Sequence, residues 1–178
     1  MNAKFAVLLA AAMAMVFCPG QSDAGGGVET AGDVLQILLP AFSLGQTIYN
    51  RDRTGGVQLA ESYALSLGVT YTLKYTVTET RPNGGPHSFP SGHAASAFTA
   101  AEYTRKRYGW EWGIPMYAAA GFVAYSRVES GQHHPQDVVA GAAIGVASSF
   151  IFTRPILGFK FEPTAGKKSV GFVAAKQF

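Results

Sequence analysis

Residues 74–93, KYTVTETRPNGGPHSFPSGH, and residues 126–137, SRVESGQHHPQD, decide how this chain is read. Pro82, Pro86 and Pro90, with Gly84 and Gly85, make 81–90 a loop. Ahead of it, Leu59, Tyr63, Leu65, Leu67, Val69 and Leu73 mark a helix over about 57–80. Behind it, Ser91 opens an alanine-rich helix that ends near Arg107. A fourth helix has Pro115 in its first turn and ends near Arg127, where Ser130-Gly131 breaks it. A fifth runs from Pro135 to about Phe152. Working outward, Asp33 is placed to cap a first helix running to Tyr49, and 50–56, NRDRTGG, is a polar turn. Gly109 to Gly113 turn the chain between the third and fourth helices. The expected fold class is all-α, a bundle of about five helices.

Three segments are expected. Residues 1–24 have the layout of a signal peptide: Lys4, an uncharged apolar run from Phe5 to Phe17, then Ser22-Asp23-Ala24 as a small-x-small cleavage site. That run is short of the ~20 residues a membrane span needs. Residues 25–156 form the helical domain, entered through flexible Gly25 to Gly27. In 157–178, Phe159, Phe161, Val170, Phe172 and Ala174 alternate around 165–168, the pattern of a small C-terminal hairpin.

Composition narrows the function classes. Of 178 residues, 48% are hydrophobic and 14% charged, against roughly 25% charged in an average soluble domain. Disorder is excluded, because it needs low hydrophobicity and high charge. A net charge of +3, scattered along the chain, does not point to nucleic acid. Cys18 is the only cysteine, so there is no disulfide framework and no thiolate zinc site.

Helices joined by short turns alternate in direction. Lys74 ends the second helix and Arg81-Pro82 follows it; Ser91-Gly92-His93 starts the third; Arg127 ends the fourth; His133 and Asp137 open the fifth. All of them therefore belong to one end of the bundle. Lys74, Arg81 and Arg127 gather positive charge, and arginine is a planar fork suited to phosphate oxygens. Ser91-Gly92 at a helix N-terminus offers backbone N–H groups to an anion. His133 and Asp137 are four residues apart on one helix face, so the carboxylate can set the imidazole tautomer and leave the other nitrogen as a nucleophile. His93, from another helix, is placed to act as general acid. No metal or other cofactor is needed, because the three cations take that role. A metal site of His93, His133, His134 and Asp137 is the rival, and the neighbouring cations oppose it. His87 and His134 are read as loop or supporting residues, Glu79, Glu129 and Gln132 as pocket rim, and Phe89 as packing under the loop.

The string Lys74-x6-Arg81-Pro82, Pro90-Ser91-Gly92-His93, Ser126-Arg127-x5-His133-x3-Asp137 resembles the three-part signature of the type-2 phosphatidic acid phosphatase superfamily, which includes bacterial acid phosphatases and vanadium haloperoxidases. The resemblance spans about 57–153, and all three parts are complete and in order. It implies an all-helical phosphatase with a phosphohistidine intermediate. His133 would attack phosphorus, Asp137 would orient it, and His93 would protonate the leaving alkoxide. Lys74, Arg81, Ser91, Gly92 and Arg127 would bind the phosphoryl oxygens.

Ten other basic residues, Arg51, Arg53, Arg105, Lys106, Arg107, Arg154, Lys160, Lys167, Lys168 and Lys176, fall on the opposite loops and tail. That is a positive-inside distribution. The expectation is a cell-envelope phosphatase, associated with the membrane, acting on a lipid phosphate or pyrophosphate. The alternatives are a soluble periplasmic acid phosphatase, a vanadate-dependent haloperoxidase and a non-catalytic phosphate-binding envelope protein. Oligomeric state is left open.

Overall fold

The computed structural model describes residues 24–156, 158–166 and 169–177, with side chains over 26–156. Five helices follow in order: α1 Ala24–Tyr49, α2 Arg53–Thr76, α3 Gly92–Tyr108, α4 Trp110–Glu129 and α5 Pro135–Phe152. They form an all-α body. The backbone of Gly158–Gly166 and Ser169–Gln177 pairs antiparallel, with Gly158 opposite Gln177. The expected leader, apart from Ala24, lies outside the described residues.

Several boundaries differ from the sequence reading, each for a local reason. α1 begins at Ala24, so Gly25 to Gly27 are helical and Asp33 is not a cap. Tertiary docking overrides the weak helix preference of glycine there. Gly32 lies directly against Ser126 of α4, where a side chain would overlap the serine hydroxyl. Arg127 holds the next turn back by donating to the Glu29 carbonyl at 2.7 Å. α2 begins at Arg53 because Asp52 caps it, accepting the Gly55 N–H at 2.9 Å. It ends at Thr76, where Val77 turns extended. Between α3 and α4 only Gly109 turns, with φ +98°. Gly113 lies inside α4, pressed on the Arg105 side chain, where a Cβ would collide.

α3 is the central helix and touches the other four. Its Ala94, Ala95, Ala97, Ala100 and Ala101 are fully buried. Gly141 and Gly145, one turn apart on α5, lie against the α3 backbone at Ser91, Ala95 and Thr99. Small residues let two backbones approach this closely. Beside this seam Leu35, Leu39, Met116, Ala119, Ala120 and Val123 form an apolar cluster, and buried hydroxyls join the helices elsewhere. Thr99 donates to Ser66 at 2.9 Å, Ser149 donates to the Thr99 carbonyl at 2.7 Å, and Ser43 and Thr104 share a 2.9 Å bond. Other large apolar side chains face outward: Ile37 and Val139 are each 68% exposed, and Ile48, Ile114, Phe150 and Ile151 are exposed with them. Among the described residues, α5 is the one helix both long and apolar enough to cross a bilayer.

The loops opposite the motif end are locked by charge. Arg107 grips Asp52 with two bonds of 2.7 and 2.6 Å, and Tyr108 donates to the same carboxylate. Arg105 pairs with buried Glu102. Two of the ten basic residues that the sequence reading assigns to that end, Arg105 and Arg107, are thus paired with carboxylates, which reduces the charge contrast read from the sequence.

Candidate active site

The sequence-predicted residues meet at one end of the bundle. His133, in the loop before α5, lies 3.5 Å from the Asp137 carboxylate through Nδ1. It is 3% exposed, and its backbone N–H donates to the Arg127 carbonyl at 3.1 Å, tying it to the end of α4. Asp137 is fully buried and serves three elements. Its Oδ2 accepts the Ser88 hydroxyl at 2.5 Å and the His134 N–H at 2.9 Å, and its carbonyl accepts the Ser91 N–H at 2.9 Å. The bond from the His134 amide caps α5. Asp137 therefore ties the 81–90 loop and the start of α5 through its carboxylate, and the start of α3 through its carbonyl, around the His133 ring.

Lys74 and Arg81 flank this centre. Lys74 donates to the His87 carbonyl at 3.0 Å, and the His87 ring donates from Nδ1 to the Lys74 carbonyl at 2.9 Å. This reciprocal pair explains His87, which sits at φ +56° and braces Lys74. Arg81 donates through Nε to the Pro86 carbonyl at 3.2 Å and through Nη1 to Gln132 at 3.0 Å. Lys74, Arg81, Gly85 and His87 line a cavity of about 400 Å³ beside the loop. Ser91 caps α3, accepting the Ala94 N–H at 3.4 Å. Its own N–H is spent on Asp137, so the unpaired amides expected at this helix start are those of Gly92 and His93.

His93 and Arg127 are joined through a residue that the sequence reading placed elsewhere. Asp33 Oδ1 contacts His93 Nε2 at 3.0 Å and accepts from Arg127 Nη1 at 2.8 Å. Ser88 was likewise missed, and Gln132, read as rim, is a bridge. It accepts from Arg81 and donates to the Glu29 carboxylate at 2.9 Å. Ser88 lies two residues before the Pro90 motif, an available hint; Asp33 had none, since a residue just before an apolar run looks like a cap. The rival metal set does not assemble as read. Among the described residues, the ligand atoms that converge are those of Glu79, His134 and Asp137, within 4.8 Å of one another, while His93 faces Asp33.

Burial, with the nearby Arg81 and Lys74 charges, pushes the His133 imidazole down to about 4 from its ordinary 6.5. The ring is neutral at pH 7 and its lone pair is available. Because the folded value is depressed, His133 contributes its full stability above about pH 6.5 and loses it as pH falls toward 4. An imidazole NMR titration should place the His133 midpoint at about pH 4. A midpoint at 6.5 or above would contradict the burial.

A chain with this arrangement has known relatives. The lipid A 4'-phosphatase of Helicobacter pylori is 34% identical over 138 residues, covering 71% of this chain and 69% of that protein. The lipid A 1-phosphatase of Porphyromonas gingivalis is 34% identical over 160 residues, covering 81% of this chain and 35% of that longer protein. An undecaprenyl-diphosphatase of Sulfolobus acidocaldarius is 32% identical over 119 residues, covering 58% of this chain and 56% of that protein. In fold, the chain is similar to crystal structures of Aquifex aeolicus LpxE and of a transmembrane PAP2-type phosphatidylglycerolphosphate phosphatase from Bacillus subtilis. Their TM-scores are 0.55 and 0.57, each at 23% identity, covering 67% and 85% of this chain and 83% and 85% of theirs. The PAP2 superfamily model matches residues 55–158, which include all three motif segments, and the chain belongs to the PAP2 superfamily.

Proposed function

We propose that this phosphatase removes phosphate from a phosphorylated lipid in the cell envelope, through a covalent intermediate on His133. The substrate class is a lipid phosphate or pyrophosphate, of the kind named for its lipid A phosphatase and undecaprenyl-diphosphatase relatives. Lys74, Arg81 and Arg127, with the Gly92 and His93 amides, bind the phosphoryl oxygens. The His133 nitrogen remote from Asp137 attacks phosphorus, and the P–O ester bond breaks. His93 gives its proton to the departing alkoxide. Water then attacks the phosphorus of phospho-His133, His93 takes the water's proton, and phosphate leaves. The protein's own cations stabilise the charge that develops on the phosphoryl oxygens.

The lipid reading rests on one observation: large apolar side chains stand exposed on the outside of the bundle, Ile37, Ile48, Ile114, Val139, Phe150 and Ile151 among them. An exposed apolar surface of this extent marks a membrane or protein contact. In this reading the chain is exported, the bundle sits in the membrane, and the motif end faces the periplasm.

The test is a phosphate-release screen on purified protein in EDTA. It compares lipid A, undecaprenyl diphosphate and phosphatidylglycerol phosphate with water-soluble phosphomonoesters. Faster release from a lipid is expected, with inhibition by micromolar vanadate, which mimics the transition state. The protein should also stay with membranes through a carbonate wash. A protein that washes off, needs no detergent and prefers soluble esters would make the acid phosphatase reading the better one. Activity lost in EDTA and restored by zinc or magnesium would overturn the cation-only mechanism.

A further inference from the structure

His93 is not alone in its half of the site. Its Nε2 lies 3.0 Å from Asp33 Oδ1, and the same oxygen accepts from Arg127 Nη1 at 2.8 Å. Arg127 is 3% exposed and held on its other sides, by Ser126 Oγ at 3.2 Å and the Glu29 carbonyl at 2.7 Å. Asp33 comes from α1, which lies outside the three motif segments and outside the region matched by the family model. The first turns of α1 are fixed against the site by Gly32 on Ser126 and by Gln132 donating to Glu29. A carboxylate held this firmly against an imidazole determines which nitrogen carries the permanent proton.

We propose that Asp33 is a positioning residue for the general acid, so that the site contains two carboxylate–imidazole pairs: Asp137 with His133 and Asp33 with His93. This rests on the reading of His93 as the acid. Asp33 keeps a proton on His93 Nε2 and turns Nδ1 toward the leaving oxygen. In the first step the Nδ1 proton passes to the alkoxide as the P–O bond breaks, leaving a neutral ring still donating from Nε2 to Asp33. In the second, Nδ1 takes a proton from the attacking water. Burial and the Arg127 and Arg81 charges pull the His93 imidazole below its ordinary value, and the Asp33 charge opposes them by favouring the protonated ring. The shared bond to Arg127 sets the distance between the acid and a phosphate-binding guanidinium, so α1 forms a wall of the site.

The experiment is single-turnover product release by the full chain, comparing a simple alkyl phosphate with 4-nitrophenyl phosphate. The alkoxide needs a proton to leave; nitrophenolate does not. Asp33→Asn keeps an acceptor for Arg127 but removes the charge. It should slow alcohol release by about tenfold or more while changing nitrophenol release by less than about threefold. The basic limb of alcohol release should move about one pH unit to lower pH. Asp33→Ala should show the same selectivity with a larger loss. An equal loss on both substrates would make Asp33 a structural brace of Arg127 and overturn the proposal. Faster release from both would overturn it too, since Asp33 would then be a carboxylate standing in the phosphate's place. His93→Ala is measured in parallel. If it shows no leaving-group dependence, the acid role of His93 fails and takes this proposal with it. If it shows dependence and Asp33→Asn does not, only the assignment of Asp33 fails.

Discussion

His133→Ala should abolish turnover, with a loss of about 10⁴-fold or more in kcat and little change in folding. Removing a covalent nucleophile takes away the route itself, and only binding and electrostatic stabilisation remain. The substitution is mild for the fold, because the His133 backbone bond to Arg127 is retained and the ring makes no other short hydrogen bond among the described residues. The wild-type protein, quenched during turnover under conditions that preserve acid-labile phosphate, should carry phosphate on His133. Normal turnover by His133→Ala would end the phosphohistidine reading, whatever the substrate proves to be.

Asp137→Asn should lower kcat by about 10²- to 10⁴-fold, less than His133→Ala. The structure adds a reason beyond orientation of the imidazole. Asp137 Oδ2 accepts from both Ser88 and the His134 amide, so an asparagine that keeps its oxygen there puts its NH2 at the buried Oδ1 position, which has no hydrogen-bond partner. Breaking a buried polar hub leaves partners unsatisfied, which costs stability as well as rate. Asp137→Asn should therefore lower the melting temperature where His133→Ala does not. Ser88→Ala separates the effects. It removes one of the two donors while leaving the carboxylate charge facing His133, so it should cost stability with a smaller loss of kcat. If Asp137→Asn melts like wild type and Ser88→Ala has no effect on stability, the carboxylate is not the hub that the geometry describes.

Helix periodicity and breakers by themselves determined the all-helical class, and the motif spacing placed Lys74, Arg81, His93, Arg127, His133 and Asp137 at four helix ends on one side of the bundle, where the fold brings them together. Those readings depended on local rules: prolines and glycines break helices, and residues four apart share a helix face. Asp33 and Glu29 were not legible that way. They reach Arg127 from 94 and 98 residues away in the chain, and the glycines before them argued for a flexible entry. Only the packing of α1 against α4 made 24–32 helical and carried Asp33 to His93. The same holds for His87, an ordinary loop histidine in sequence, which the fold turns onto the Lys74 backbone. The apolar helices were visible in the composition, but which side they face was not. Periodicity shows a stripe without saying whether protein or lipid meets it. The close backbone contacts at Gly141 and Gly145 gave the α3–α5 seam to small residues, Leu35, Leu39, Met116 and Val123 filled the core beside it, and Ile37, Ile48, Ile114, Val139 and Ile151 were left outside.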